Sequence, residues 1–163
     1  MLKMAKGDEI PNETLARLVN GEIQTVKMAY LVAGVKAAIL GVPGAFTPVC
    51  TEQQLPSFIR QANTLKAQGF EKLICVAAND PWVVDDWARK LDPDGRIIFL
   101  SDGNLEFTRA MGLQAFDRHN FLGVRSRRYL LTTEDGIIRS IRAEASYSLV
   151  SFTAPEDVVV IEA

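Results

Sequence analysis

The chain has 163 residues, enough to bury a proper core and fitting one domain over residues 1–163. Its 48% hydrophobic and 23% charged content is that of a globular protein, and a net charge of −2 gives no reason to expect nucleic-acid or membrane partners. Two cysteines and one histidine cannot furnish the four ligands of a structural zinc site, so no metal and no cofactor is expected.

Met1 to Asp8 has no apolar signal-peptide core, and no stretch is long enough to span a bilayer. A reducing cytoplasm is the expected location, and it suits a thiol that must be regenerated. Residues 7–27 hold Pro11, a short apolar run at Leu15, Leu18 and Val19, and the turn Asn20-Gly21 before Ile23 and Val26, which predicts a hairpin. Met28 to Ala33 fits a short helix stopped at Gly34. Val35 to Leu40 then reads as a buried strand.

After that strand comes Gly41-Val42-Pro43-Gly44-Ala45-Phe46-Thr47-Pro48-Val49-Cys50. Leu55, Phe58, Ile59, Ala62 and Leu65 follow at helical spacing as far as Gly69, so a helix is predicted with Cys50 in its first turn. Thr47 suits the N-cap, where its hydroxyl can accept an unpaired amide hydrogen, and Pro48 suits the first helical position. Cys50 then stands where a capping-box carboxylate would, facing free amides and the positive end of the helix dipole. Helix starts with a nearby cation bring cysteines from about 8.5 to roughly 3.5–7.5. A free cysteine is more commonly a small buried hydrophobe, but this position is built to ionise a sulfur. Thr47-Pro48-Val49-Cys50 has the spacing of a Cys-x-x-Cys with Thr at its head, so the sulfur is suited to attack a substrate rather than shuttle an internal dithiol.

A second strand, Leu73 to Ala77 with Cys75 at its centre, completes a βαβ unit whose strands should be parallel. Pro81 opens a helix carrying Val84, Trp87, Ala88 and Leu91, and a strand is expected from Arg96 to Leu100. Leu105 to Met111 fits a short helix closed by Gly112, and residues 113–124 read as an irregular loop holding an exposed His119. Tyr129 to Thr132, Glu134-Asp135-Gly136 and Ile137 to Ile141 form a predicted hairpin. At the C-terminus, Val158 to Ile161 favours a strand, while Thr153-x-x-Glu156 with Pro155 is a helix start; helix is preferred. The element order is that of a thioredoxin-like α/β sandwich, a central mixed β-sheet flanked by helices.

Pro43-Gly44-Ala45-Phe46-Thr47-Pro48-Val49-Cys50 resembles the active-site signature of the peroxiredoxins, and its wording is similar to the type II (atypical) subfamily. The resemblance takes in Leu55-Pro56, Asn79-Asp80-Pro81 with Trp87, Arg125-Ser126-Arg127-Arg128-Tyr129 and Asp135-Gly136, nearly the whole chain. It implies a thiol-dependent peroxidase for hydrogen peroxide and alkyl hydroperoxides, working as a homodimer, with Cys50 oxidised to a sulfenic acid. Catalytic Cys50, Thr47 and Arg128 and substrate-binding Pro43 and Val49 are the site residues so implied. Arg128 is also selected by its place directly before the apolar run Tyr129-Leu130-Leu131, whereas Arg125 and Arg127 read as a solvated basic edge. One departure is Gln54, where the family commonly has His before Leu-Pro.

Cys75, amid apolar neighbours, reads as structural; as the other sulfur it is also the candidate resolving residue, and an internal bond would require the Cys50 helix to unwind. Regeneration by an external thiol, glutathione with glutaredoxin or thioredoxin, is therefore expected. The rival reading is a peroxide-sensing redox module on the same fold. A sensor needs only an oxidisable thiol, so Thr47, Cys50 and Arg128 together argue for turnover. The missing Cys-x-x-Cys speaks against a thiol–disulfide oxidoreductase.

Overall fold

The computed structural model describes residues 2–144. Strands β1 (Thr14–Val19) and β2 (Glu22–Lys27) are joined by Asn20 and Gly21, both with positive φ (52° and 81°), the primed turn that matches strand twist. Helix α1 (Met28–Val32) buries Met28 and Val32, and Gly34 (φ 72°) turns the chain into β3 (Lys36–Val42). Every residue of β3 after Lys36 is buried, the pattern of a strand covered on both faces. A π-helical turn, Cys50–Gln54, then leads into α2 (Leu55–Arg60) and α3 (Ala62–Ala67).

The chain returns through β4 (Phe70–Ala77), α4 (Pro81–Leu91), β5 (Ile98–Ser101) and α5 (Glu106–Met111). A small antiparallel pair, β6 (Gln114–Asp117) and β7 (Gly123–Ser126), precedes the closing hairpin β8 (Tyr129–Glu134) and β9 (Ile137–Ala143). Seven strands form one mixed sheet in the order β2-β1-β5-β4-β3-β8-β9, with β3, β4 and β5 parallel and the flanking pairs antiparallel. This is the thioredoxin-like sandwich expected from the element order.

Alternation along the strands separates two cores. Ala38, Leu40, Leu73, Cys75 and Leu130 face Cys50, Phe58 and Trp87 on one side of the sheet. Ala37, Ile39, Ile74, Val76, Tyr129 and Leu131 face Met28, Phe107 and Met111 on the other. Leu40 pairs with Cys75 on one flank and Leu130 on the other, which places the strand that ends at the site in the middle of the sheet.

Three expectations are corrected. Residues 113–124 are not irregular: they contribute β6 and part of β7, and the exposed His119 sits in their connection. The strand expected from Arg96 begins at Ile98, because the Asp92 carboxylate accepts from the amides of Arg96 (3.1 Å) and Ile97 (2.8 Å) and holds both outside the ladder. The helix read continuously from Cys50 to Gly69 is broken into the π-turn, α2 and α3. Pro56 explains the first change: it cannot donate to the carbonyl of Glu52, and Leu55 instead donates to the carbonyl of Cys50, five residues back. The C-terminal helix read over residues 153–161 lies outside the described residues.

Gly41 shows how tightly the centre is packed. It pairs with Tyr129, and a Cβ on Gly41 would fall inside the fully buried Tyr129 ring. Gly41→Ala should therefore cost at least about 3 kcal/mol, the upper end of overpacking, since neither ring nor backbone can yield. A urea midpoint indistinguishable from wild type would show that the ring can move aside.

Candidate active site

β3 delivers the chain to a loop pinned at three points. The amide of Ala45 donates to Asn79 Oδ1 (2.7 Å), the Arg125 guanidinium donates to the carbonyl of Pro43 (3.2 Å), and Thr47 Oγ1 donates to the carbonyl of Gly44 (2.6 Å). Phe46 takes a left-handed conformation (φ 65°), which L residues adopt only where the surroundings hold them. Its exposed ring lies 5.5 Å from Lys90 Nζ.

Helical geometry starts at Pro48, and the amide of Thr51 closes the first turn on the carbonyl of Thr47 (3.0 Å). Thr47 thus stands at the predicted helix start, but its hydroxyl does not accept an amide hydrogen there. The Gly44–Thr47 turn brings the Gly44 carbonyl within reach, and the hydroxyl spends its only hydrogen on it. Its lone pairs are left to accept from an incoming O–H.

Cys50 is fully buried, and Arg128, itself 3% exposed, donates through one terminal nitrogen to Cys50 Sγ at 2.8 Å. A guanidinium at that distance makes a charge-assisted contact with the sulfur. Arg128 reaches the sulfur because it immediately precedes β8, where alternation sends Tyr129 and Leu131 to the opposite face and Leu130 to the cysteine face. The π-turn is held from the side as well. Trp87 of α4 donates its indole N–H to Thr51 Oγ1 (3.1 Å) and meets Phe99 edge-on at 5.9 Å.

The remaining candidates fall into place around this pair. Pro43 is buried beneath Arg125, and Val49 is half-buried next to Cys50 in the first turn. Arg125 and Arg127 are not the solvated edge they were read as. Arg125 clasps the carbonyls of Pro43 and Leu122, and Arg127 donates to the carbonyl of Glu144 (2.7 Å). Cys75 is fully buried in β4, where burial raises its thiol well above the ordinary range and the neighbouring Cys50 raises it further. Among the described residues no cluster of three His, Cys, Asp or Glu could hold a metal ion, and no helix is long and apolar enough to cross a membrane.

The residue least expected here is Gln54. It is fully buried, and its Oε1 accepts from the Arg128 terminal nitrogen that also serves Cys50 (3.0 Å). Its Nε2 donates to the carbonyl of Gly41 (3.2 Å). The sequence signal was its place four residues after Cys50, on the same helical face.

A thioredoxin-like sheet that offers a buried cysteine to an arginine at the end of a central strand defines a thiol peroxidase. The redoxin family model matches residues 5–154, and the chain belongs to the peroxiredoxins, type II. It is 42% identical over 158 residues to the chloroplastic peroxiredoxin-2E-2 of Oryza sativa subsp. japonica, covering 94% of this chain and 70% of that one. Peroxiredoxin-2B of Arabidopsis thaliana is 38% identical over 136 residues, covering 83% of this chain and 84% of its own length. Reduced Prx3 from Vibrio vulnificus, solved in complex with H2O2, superposes with a TM-score of 0.91 at 32% identity over 98% of this chain and 99% of that one. The protein is a thiol-dependent peroxidase.

Proposed function

We propose that Cys50 is the attacking sulfur, with Thr47 and Arg128 as its catalytic partners and Pro43 and Val49 shaping the substrate pocket. The observation that carries this reading is the 2.8 Å bond from Arg128 to Cys50 Sγ inside a fully buried setting. The thiolate attacks one oxygen of a hydroperoxide, and an S–O bond forms as the O–O bond breaks. The departing oxygen leaves as water or an alcohol after taking a proton, and Cys50 becomes a sulfenic acid. Thr47 accepts from the peroxide O–H, and Arg128 stabilises charge growing along the S–O–O line. Pro43 and Val49 supply an apolar wall that suits hydrogen peroxide and small alkyl hydroperoxides alike.

Regeneration uses two external thiols. The first condenses with the sulfenic acid, releasing water and leaving a mixed disulfide; the second displaces it and restores the Cys50 thiol. Glutathione with glutaredoxin, or thioredoxin, fills this role, and Cys75 remains structural. Its burial in a central strand supports that assignment. A sulfur that must be regenerated by reduced thiols suits a reducing cytoplasm. Exposed Trp82, Phe116 and Phe121 support a homodimer, since side chains of this kind concentrate at protein interfaces.

Peroxide consumption measured with glutathione and glutaredoxin, with thioredoxin and its reductase, and without reductant tests the cycle. Either reductant should sustain turnover, and Cys75→Ala should keep it while losing only about 1 kcal/mol of stability. After one equivalent of peroxide and no reductant, intact mass should show a sulfenic acid at Cys50, which added glutathione then converts to a mixed disulfide with release of water. A monomer about 2 Da lighter, absent in Cys75→Ala, would make Cys75 the resolving residue instead.

A further inference from the structure

We infer that Asn79 is a positioning residue for Thr47: acting through the Gly44–Ala45 peptide, it aims the carbonyl that takes the Thr47 hydrogen and so reserves the hydroxyl lone pairs for the peroxide. The inference rests on Thr47 being the acceptor for the peroxide O–H.

The three parallel strands end at one edge of the sheet and bring the participants together. β3 leads into the loop from Pro43 to Cys50, β4 ends at Ala77 just before Asn79, and β5 ends at Ser101. Asn79 Oδ1 accepts from the Ala45 amide (2.7 Å). An amide N–H can only donate, so the side-chain oxygen of Asn79, not its nitrogen, faces the loop. The Gly44–Ala45 peptide is planar and trans, so its C=O points away from its N–H. That carbonyl receives two donors from Thr47, Oγ1 at 2.6 Å and the amide at 3.4 Å. Asn79 and Thr47 therefore grip one peptide unit from opposite sides, and each bond polarises the unit in favour of the other.

The unit would not keep this orientation unaided. Phe46, the third residue of the Gly44–Thr47 turn, has φ 65°, a conformation that glycine fills most easily. A phenylalanine there is strained, and the turn relaxes once a clamp is released. Arg125 holds the other flank of Gly44 through the Pro43 carbonyl (3.2 Å), and a Cβ on Gly44 would lie 2.9 Å from Thr47 Cγ2. Asn79 is anchored in its turn. Its own carbonyl accepts from the Ser101 hydroxyl, whose oxygen accepts from the Gly103 amide (3.1 Å). A continuous series of bonds thus runs from the end of β5 to the Thr47 hydroxyl.

Thr47 has a single hydroxyl hydrogen. While the Gly44 carbonyl holds it, the oxygen meets a peroxide O–H as a pure acceptor. Without the clamp at Ala45 the carbonyl is free to turn, and the hydroxyl must be reoriented before each attack. A misplacement of about 1 Å at a reacting centre can cost about a hundredfold in rate.

The test compares wild type with N79A, N79L, N79D, T47V and the double variant N79A/T47V by two rates. One is single-turnover peroxide consumption; the other is alkylation of Cys50 by iodoacetamide, read by mass on the fragment that carries it. Alkylation needs no acceptor for an O–H, so it reports the reactivity and access of the sulfur alone. In N79A the peroxide rate should fall about tenfold while alkylation stays within about twofold of wild type. N79D keeps an oxygen for the Ala45 amide, so its ratio of the two rates should stay within about threefold of wild type. The double variant should be no slower toward peroxide than T47V, because valine already removes the hydroxyl through which Asn79 acts. Peroxide and alkylation rates that fall together in N79A, or a double variant about tenfold slower than T47V, overturn the inference. Should N79A fail to fold, N79L gives the same comparison, since leucine keeps the volume and offers no acceptor. N79A at the wild-type peroxide rate beside a slow T47V overturns this inference alone. T47V at the wild-type rate overturns the reading of Thr47 on which it stands.

Discussion

Cys50→Ser should leave no catalytic peroxide consumption, a loss of at least about 10⁴-fold, while melting within a few degrees of wild type. The two halves of that expectation have different causes. Stability is kept because the serine hydroxyl occupies nearly the same fully buried volume and can accept the Arg128 hydrogen bond that Sγ accepts at 2.8 Å. Activity is lost because the reaction transfers an oxygen to a polarisable sulfur, and a hydroxyl cannot give up its electrons to form the sulfenic acid. Peroxide disappearance and a thermal melt on the same preparation check both halves. Substantial turnover from the serine variant would show that Cys50 is not the nucleophile and would return attention to Cys75.

Much of this architecture was legible because local signals and global fold agree. Buried strands at Val35 to Leu40 and Leu73 to Ala77, glycines at the right ends of helices, and Asn20-Gly21 and Asp135-Gly136 at hairpin tips each have one physical reading. The β6–β7 pair was not legible, because two of its apolar residues, Phe116 and Val124, are exposed and create no alternation toward a core. The break after Cys50 was hidden by Leu55, Phe58, Ile59, Ala62 and Leu65, which keep helical spacing through it. Within the site, Cys50 and Thr47 could be placed by helix-start rules, and Arg128 by the apolar run behind it. Arg125 and Arg127 were misread, since their partners are backbone carbonyls up to 82 residues away. Gln54 stood out in the sequence as a substitution. Its partner, though, lies 74 residues further along, and only the sheet brings the two together.

Arg128→Met should slow peroxide attack by at least about two orders of magnitude, the scale of removing one charge-stabilising donor from a desolvated site. Two effects compound. The attacking sulfur loses the guanidinium donor that lies 2.8 Å from it. The transition state also loses a donor for the charge developing on the departing oxygen, a loss that raising the pH cannot repair. Single-turnover peroxide consumption should therefore stay below wild type at every pH measured. The fold should survive, because methionine fills much of the arginine stem's volume. It does leave Gln54 Oε1 without the 3.0 Å donor it has now, a cost of about 1–3 kcal/mol that a urea melt would register. Arg127→Met is the control: its guanidinium donates to the Glu144 carbonyl rather than to the sulfur, and its rate of peroxide attack should stay at the wild-type value. Equal slowing in the two variants would mean that general positive charge, not the Arg128 contact, assists the attack.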